Sequence, residues 1–143
     1  MRNIKDQASY EDRTPHNVRS PQMMYHGTSS KLLPDIIKYG LQPQSEALRQ
    51  KYIKYIGDSE NPDYVSVTSN MQTAWMFADI TASATNGEMI VISIFISDPS
   101  SVYTDPEEFP HKIMFLHEGP IDVSDLRRVT YEDGSSKRFS KLK

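Results

Sequence analysis

Along the chain the spacing of apolar positions changes from alternating to helical and back. Residues 1–21 carry few large apolar side chains and two prolines, and they predict an extended arm. The core pattern begins at Met23-Met24-Tyr25-His26, a short strand that should end in the turn signal Gly27-Thr28-Ser29-Ser30. In Leu33-Pro34-Asp35-Ile36-Ile37-Lys38-Tyr39-Gly40 the proline suits a first helical turn and the glycine a left-handed stop, so a short helix is expected over 34–39. Ser45 can cap a second helix reaching Tyr55, with Ala47, Leu48 and Tyr52 along one side. Tyr64-Val65-Ser66-Val67-Thr68 alternates as a strand. Asn70 then caps a helix to about Ser83, whose Met71, Ala74, Trp75, Ala78 and Ala82 form one apolar stripe.

After the turn Asn86-Gly87, the run from Met89 to Ile96 is apolar at nearly every position and rich in β-branched residues, which predicts a central strand covered on both faces. A further strand is expected over 112–116, and the core should close over 121–129 with a short turn at 124–126. Strand, helices, strand, helix, then strands implies an α+β domain: one domain with a mixed, split β-sheet flanked by short helices. The expected division is an arm over 1–21, a domain over 22–131 and a basic tail over 132–143.

Composition narrows the chemistry. At 143 residues and 37% hydrophobic content, the chain can bury a core without a metal or disulfide staple. It has no cysteine, which removes thiolate zinc sites, iron–sulfur clusters and cysteine nucleophiles together. The formal charge of −3 argues against a duplex nucleic-acid binder, although Gly134 to Lys143 carries four positive charges and no negative one. The longest apolar run is too short to span a bilayer, and the polar N-terminus is no signal peptide, so a cytoplasmic monomer without membrane contact is expected.

Common nucleotide and metal signatures are missing. No Gly-x-Gly-x-x-Gly lies between a strand and a helix, no phosphate loop ends in Gly-Lys-Ser/Thr, and His16, His26, His111 and His117 lack zinc-protease spacing. What remains is Tyr25-His26-Gly27-Thr28-Ser29, where a strand-end histidine could meet a ligand while Gly27 lets that ligand approach the backbone. About forty residues on, Ser66, Thr68 and Ser69 bring hydroxyls just before the helix that carries Trp75 and Phe77. Hydroxyls and an aromatic at that spacing can hold a flat ring and its amide. Trp75 lies on the apolar stripe and reads as core, whereas Phe77 lies beside the stripe and is the better ring contact.

Tyr25-His26-Gly27-Thr28-Ser29, Leu32 to Pro43, and Tyr64 to Asn70 with Ala74-Trp75-Met76-Phe77-Ala78 together resemble the ADP-ribosyltransferase superfamily. The similarity covers roughly residues 23–130. It is to the histidine-first branch of diphtheria-toxin-like enzymes, poly(ADP-ribose) polymerases and rifampin ADP-ribosyltransferases, the small rifampin enzymes matching best in length. The resemblance implies a glycosyltransferase that uses NAD as substrate and needs no metal, with an acceptor that is a protein, a nucleic acid or a small molecule.

It also implies site roles. His26 would bond the adenosine-side ribose and the Gly27 backbone the nicotinamide amide, with Tyr25, Thr28, Tyr64, Thr68 and Ser69 around them. Phe77 sits eleven residues after Ser66, the family's separation of two stacking aromatics, but Ser66 stands where the first is normally tyrosine. The catalytic acid would be Asp105, with Glu118 second and Glu107 or Glu108 also possible; alignment to the polymerases puts Lys112 at their glutamate. Two other readings stay open. An RNA 2′-phosphotransferase also shows a His-Gly-Thr-Ser strand end, yet this chain has no arginine between Arg49 and Arg127 for a phosphate. A non-catalytic module binding NAD, ADP-ribose or a protein is the other.

Overall fold

The computed structural model describes residues 17–18, 20–43, 64–104 and 113–142. Seven strands form one sheet: β1 Gln22–Ser29, β2 Tyr64–Thr68, β3 Met89–Ile96, β4 Val102–Thr104, β5 Met114–Glu118, β6 Leu126–Tyr131 and β7 Ser136–Arg138. Two helices accompany them, α1 Leu33–Tyr39 and α2 Met71–Thr85. The spatial order is β4-β5-β2-β1-β3-β6-β7, and every neighbouring pair is antiparallel. The α+β class therefore stands, while the expected mixed sheet is corrected to an antiparallel one. The expected helix at 45–55 lies outside the described residues.

β3 lies inside the sheet, next to the middle strand β1, and is buried on both sides. Ile90, Ile92, Ile94 and Ile96 enter the main core with Met24, Val65, Val67, Val129 and Phe139, while Val91 faces α2 with Ala74 and Ala78. β1 runs along β3 without interruption, from Gln22 opposite Ile96 to Ser29 opposite Met89. This overturns the turn expected at Gly27 to Ser30: with β3 supplying a ladder partner to each residue, the strand continues three residues past His26. The glycine answers to the helix. A Cβ on Gly27 would stand 1.7 Å from the Ala74 carbonyl oxygen and 2.7 Å from the Ala78 nitrogen, so only glycine lets α2 lie this close to β1.

The helix ends follow their sequence signals. Asn70 accepts the Thr73 N–H at 2.9 Å and opens α2, and Asn86, left-handed at φ 58°, closes it. At the far end Thr85 Oγ1 donates to Ser29 Oγ at 2.6 Å, tying the helix to the last residue of β1.

The segment expected as a basic tail is part of the fold. β7 pairs with β6, matching Arg128 with Arg138 and Thr130 with Ser136, and Phe139 is buried in the main core at 2% exposure. At the other end of the chain, the Asn17 side-chain amide donates to the carbonyls of Ser100 at 2.9 Å and Val102 at 3.0 Å, so the arm is anchored at that point.

The contact at Gly27 predicts a steep cost for one methyl group. Gly27→Ala should lose at least about 3 kcal/mol, a fall of about 10 °C in Tm, because helix backbone cannot yield as a side chain does. Gly119→Ala meets open space and only a positive φ of 76°, so it should cost about 1 kcal/mol. Thermal unfolding followed by circular dichroism checks the ranking, and equal losses would contradict it.

Candidate functional site

β1 and β2 share a single registered pair, Tyr25 opposite Thr68. Beyond it the strands part and form a fork. The Ser69 N–H bonds the Ile113 carbonyl on the β5 side at 3.1 Å, so by strand alternation the peptide groups of Thr68 and Ser66 point toward β1. The same alternation, counted from Tyr25, turns the Gly27 N–H and C=O toward β2, where no described residue stands in register with them. The inner edges of the fork thus carry the Ser66 carbonyl on one side and a donor and acceptor of Gly27 on the other.

His26 spans this opening. Its Nδ1 lies 2.7 Å from the Ser66 carbonyl oxygen, a bond that can form only when Nδ1 carries the proton. Burial holds its pKa below the ordinary 6.5, against the smaller raising effect of the bond to Ser66. A neutral ring with Nδ1 protonated presents Nε2 as a lone pair. That atom takes a hydroxyl donor and is poorly suited to an anion.

The other expected site residues divide into groups. The His26 imidazole meets the backbone of β2 and not its hydroxyls: Tyr64, Ser66 and Thr68 share the face of Tyr25, opposite to that of His26. Thr68 Oγ1 is buried, donating to the Ile113 carbonyl at 2.5 Å and accepting the Asn70 N–H at 3.1 Å, so it fastens the turn into α2. Thr28 is likewise buried, at 3% exposure, opposite Ile90 in the sheet interior. Ser69 is exposed at the end of β2.

Tyr25 is half-buried against the Ala74–Ala78–Val91 cluster together with Met71, Trp75 and Met89, which makes Trp75 a core residue. Phe77 lies two residues on, roughly 200° round the helix. It belongs to neither apolar cluster and is half-buried on the opposite flank. Tyr64 packs edge-on against Tyr103, with ring centroids 6.5 Å apart.

Glu118 is exposed at the end of β5, opposite Tyr64, so β2 stands between it and β1. Asp105, Glu107, Glu108 and Lys112 lie outside the described residues; the chain approaches them from Thr104, which is paired with Phe115. Among the described residues no cluster of histidine and carboxylate side chains could hold a metal ion. The member of the site that sequence reading missed is the Ser66 carbonyl, a backbone atom that no residue type signals.

No family model and no curated protein matches the chain. Among solved structures 28 chains match. One is EcPltA, similar to this chain with a TM-score of 0.54 at 10% sequence identity over 81% of each chain. At that identity the likeness concerns the fold alone.

The lowered pKa of His26 has a consequence for stability. Between its folded value and 6.5 the unfolded chain binds more protons than the native one, so stability rises with pH through that window and falls as pH drops below 6.5. Asp98, Asp122 and Asp133 are each lowered from 3.8 by hydrogen bonds from the serine two residues on, and act only in a separate, more acidic window. Urea unfolding from pH 7 downward should show the first step in the native protein and lose it in His26→Asn. A step of equal size in both proteins would assign it elsewhere.

Proposed function

We propose that the chain transfers ADP-ribose from NAD to an acceptor and releases nicotinamide. The observation that carries this reading is the fork itself: a neutral histidine pinned through Nδ1 to the Ser66 carbonyl, beside a glycine whose peptide groups face the same opening. The motif resemblance and the α+β sheet support it.

In this reading a carboxamide, which offers both an N–H donor and a carbonyl acceptor, pairs with the C=O and N–H of Gly27. A ribose hydroxyl donates to Nε2 of His26. Phe77 covers one side of the nicotinamide ring. Position 66 cannot stack, so the second side would be closed by Tyr25 or by a residue of the loop before β2. The bond from nicotinamide nitrogen to ribose carbon breaks with its electron pair going to nicotinamide, which leaves neutral and needs no proton. Positive charge develops on the ribose, as in glycoside cleavage, and a carboxylate from Asp105 or Glu118 would stabilise it. The acceptor then bonds to that carbon and gives up its proton. Protein, nucleic acid, small molecule and water all satisfy this balance.

Purified protein incubated with NAD should release free nicotinamide, measured by chromatography. His26→Asn keeps a donor toward Ser66 but lacks the Nε2 acceptor, so kcat/KM should fall at least tenfold, about 1.4 kcal/mol or more. Losing the acid should reduce kcat about a hundredfold, about 2.7 kcal/mol, with KM nearly unchanged. Comparing Asp105→Asn with Glu118→Gln identifies which residue it is. No nicotinamide above a blank would remove the catalytic reading, and NAD binding by calorimetry would then mark a binding module.

A further inference from the structure

A second feature lies on the α2 face of the sheet, beyond β3. Register places Ser93, Arg128 and Arg138 in one cross-strand row on β3, β6 and β7, so both arginines project from the same face. A shift of register between Ser93 and Ile94 leaves Arg127 as an extra residue. Its guanidinium lies over the Phe95 ring, 5.7 Å from the centroid, and Phe95 shares the face of Ser93. Three guanidiniums thus occupy one patch, and all three residues are exposed.

What holds these groups is informative. Arg127 donates from Nη1 to the Ser124 carbonyl at 3.0 Å. Arg128 donates from Nε and Nη2 to the Ser136 hydroxyl at 3.2 and 2.9 Å. Among the described residues the Arg138 side chain has no hydrogen bond, and none of the three meets a carboxylate. Two guanidiniums are therefore oriented by neutral acceptors, with no carboxylate among the described residues to offset their charge. From Leu126 to Leu142 the chain carries five basic and two acidic side chains, although the whole chain is net −3. Positive charge has been gathered on one hairpin of an acidic protein.

We propose that this β6–β7 face binds single-stranded nucleic acid, with Arg128 and Arg138 on phosphates and the Arg127–Phe95 cation–π pair beneath a base. Guanidinium forks match phosphate oxygens in two-point geometry. A cation held over an aromatic ring beside two exposed guanidiniums offers both charge and a π surface, which the phosphates and bases of a single strand can use together and an acidic peptide cannot. Unstacked bases are available in single strands. The proposal does not depend on the reading of the fork.

The test uses the full chain without NAD and a fluorescent oligouridylate of ~12 nucleotides, followed by anisotropy between about 50 and 200 mM salt. Replacing Arg127, Arg128 and Arg138 together by Gln should weaken binding at least about tenfold and reduce the slope of log affinity against log salt by about 1.4, the share of the two phosphate contacts. Arg138→Gln alone removes no internal bond and so leaves folding intact; it should lower the slope by about 0.7. Replacing all three by Lys should restore the slope but not the full affinity, because lysine neither forks nor stacks. Unchanged affinity and slope in the Gln variants would overturn the proposal. So would an oligoglutamate of equal length that displaces the probe as well as unlabelled oligouridylate does.

Discussion

The close approach of α2 to β1 at Gly27 governs the rest of the architecture. Helix backbone at Ala74 and Ala78 rests where a side chain would otherwise stand. The helix starts only three residues after β2 ends, and that turn is fastened by the Thr68 hydroxyl and the Asn70 cap. Its other end is tied to Ser29 through Thr85. With its middle and far end held against β1 and its start joined to β2, α2 brings the end of β2 to β1 at Tyr25, where the two pair. Upstream, β2 follows β5 through five registered pairs and parts from β1. The fork is thus the result of a helix that dictates where one strand meets another.

A fork in a sheet leaves backbone polar groups without ladder partners, which is costly unless something else satisfies them. The imidazole of His26 does so for the Ser66 carbonyl. This bond sets the tautomer, and burial sets the charge state, so the free nitrogen becomes an acceptor because of its surroundings and not because of residue type. The Gly27 peptide faces the same opening, with no described residue registered opposite it. The chemistry open to the site therefore follows from strand divergence together with one half-buried ring.

Much of the fold could be read along the chain because local signals and global packing agree. Asn70 and the Met71–Ala74–Ala78–Ala82 stripe located α2, and the continuous apolar run located β3, since each element buries what its pattern shows. β1 beyond His26 could not be read this way. Gly27-Thr28-Ser29 has the composition of a turn, and only the long-range ladder to β3 keeps it extended. The C-terminal hairpin was hidden for a similar reason: one apolar residue, Phe139, anchors a stretch that is otherwise polar. At the site, His26, Gly27 and Phe77 carry signals in their identity. The Ser66 carbonyl carries none, and the roles of Thr28 and Thr68 turn on burial that composition does not reveal.

The fork and the arginine face share a rigid frame. The row Thr68–Tyr25–Ser93–Arg128–Arg138 crosses the sheet on one side, from the point where β1 meets β2 to the outer strand. Two strand spacings separate Tyr25 from Arg128, roughly 10 Å. Between them runs β3, whose Ile90, Val91, Ile92 and Ile94 are wholly buried, so that distance is set by the least yielding part of the molecule. The two regions also differ in electrostatic character. The fork offers a neutral ring and peptide dipoles suited to hydroxyl and amide groups, and the outer face offers full positive charges suited to phosphate. A sheet with a buried interior can hold both kinds of surface at fixed separation, because an interior fork and an outer hairpin need not satisfy the same packing constraint.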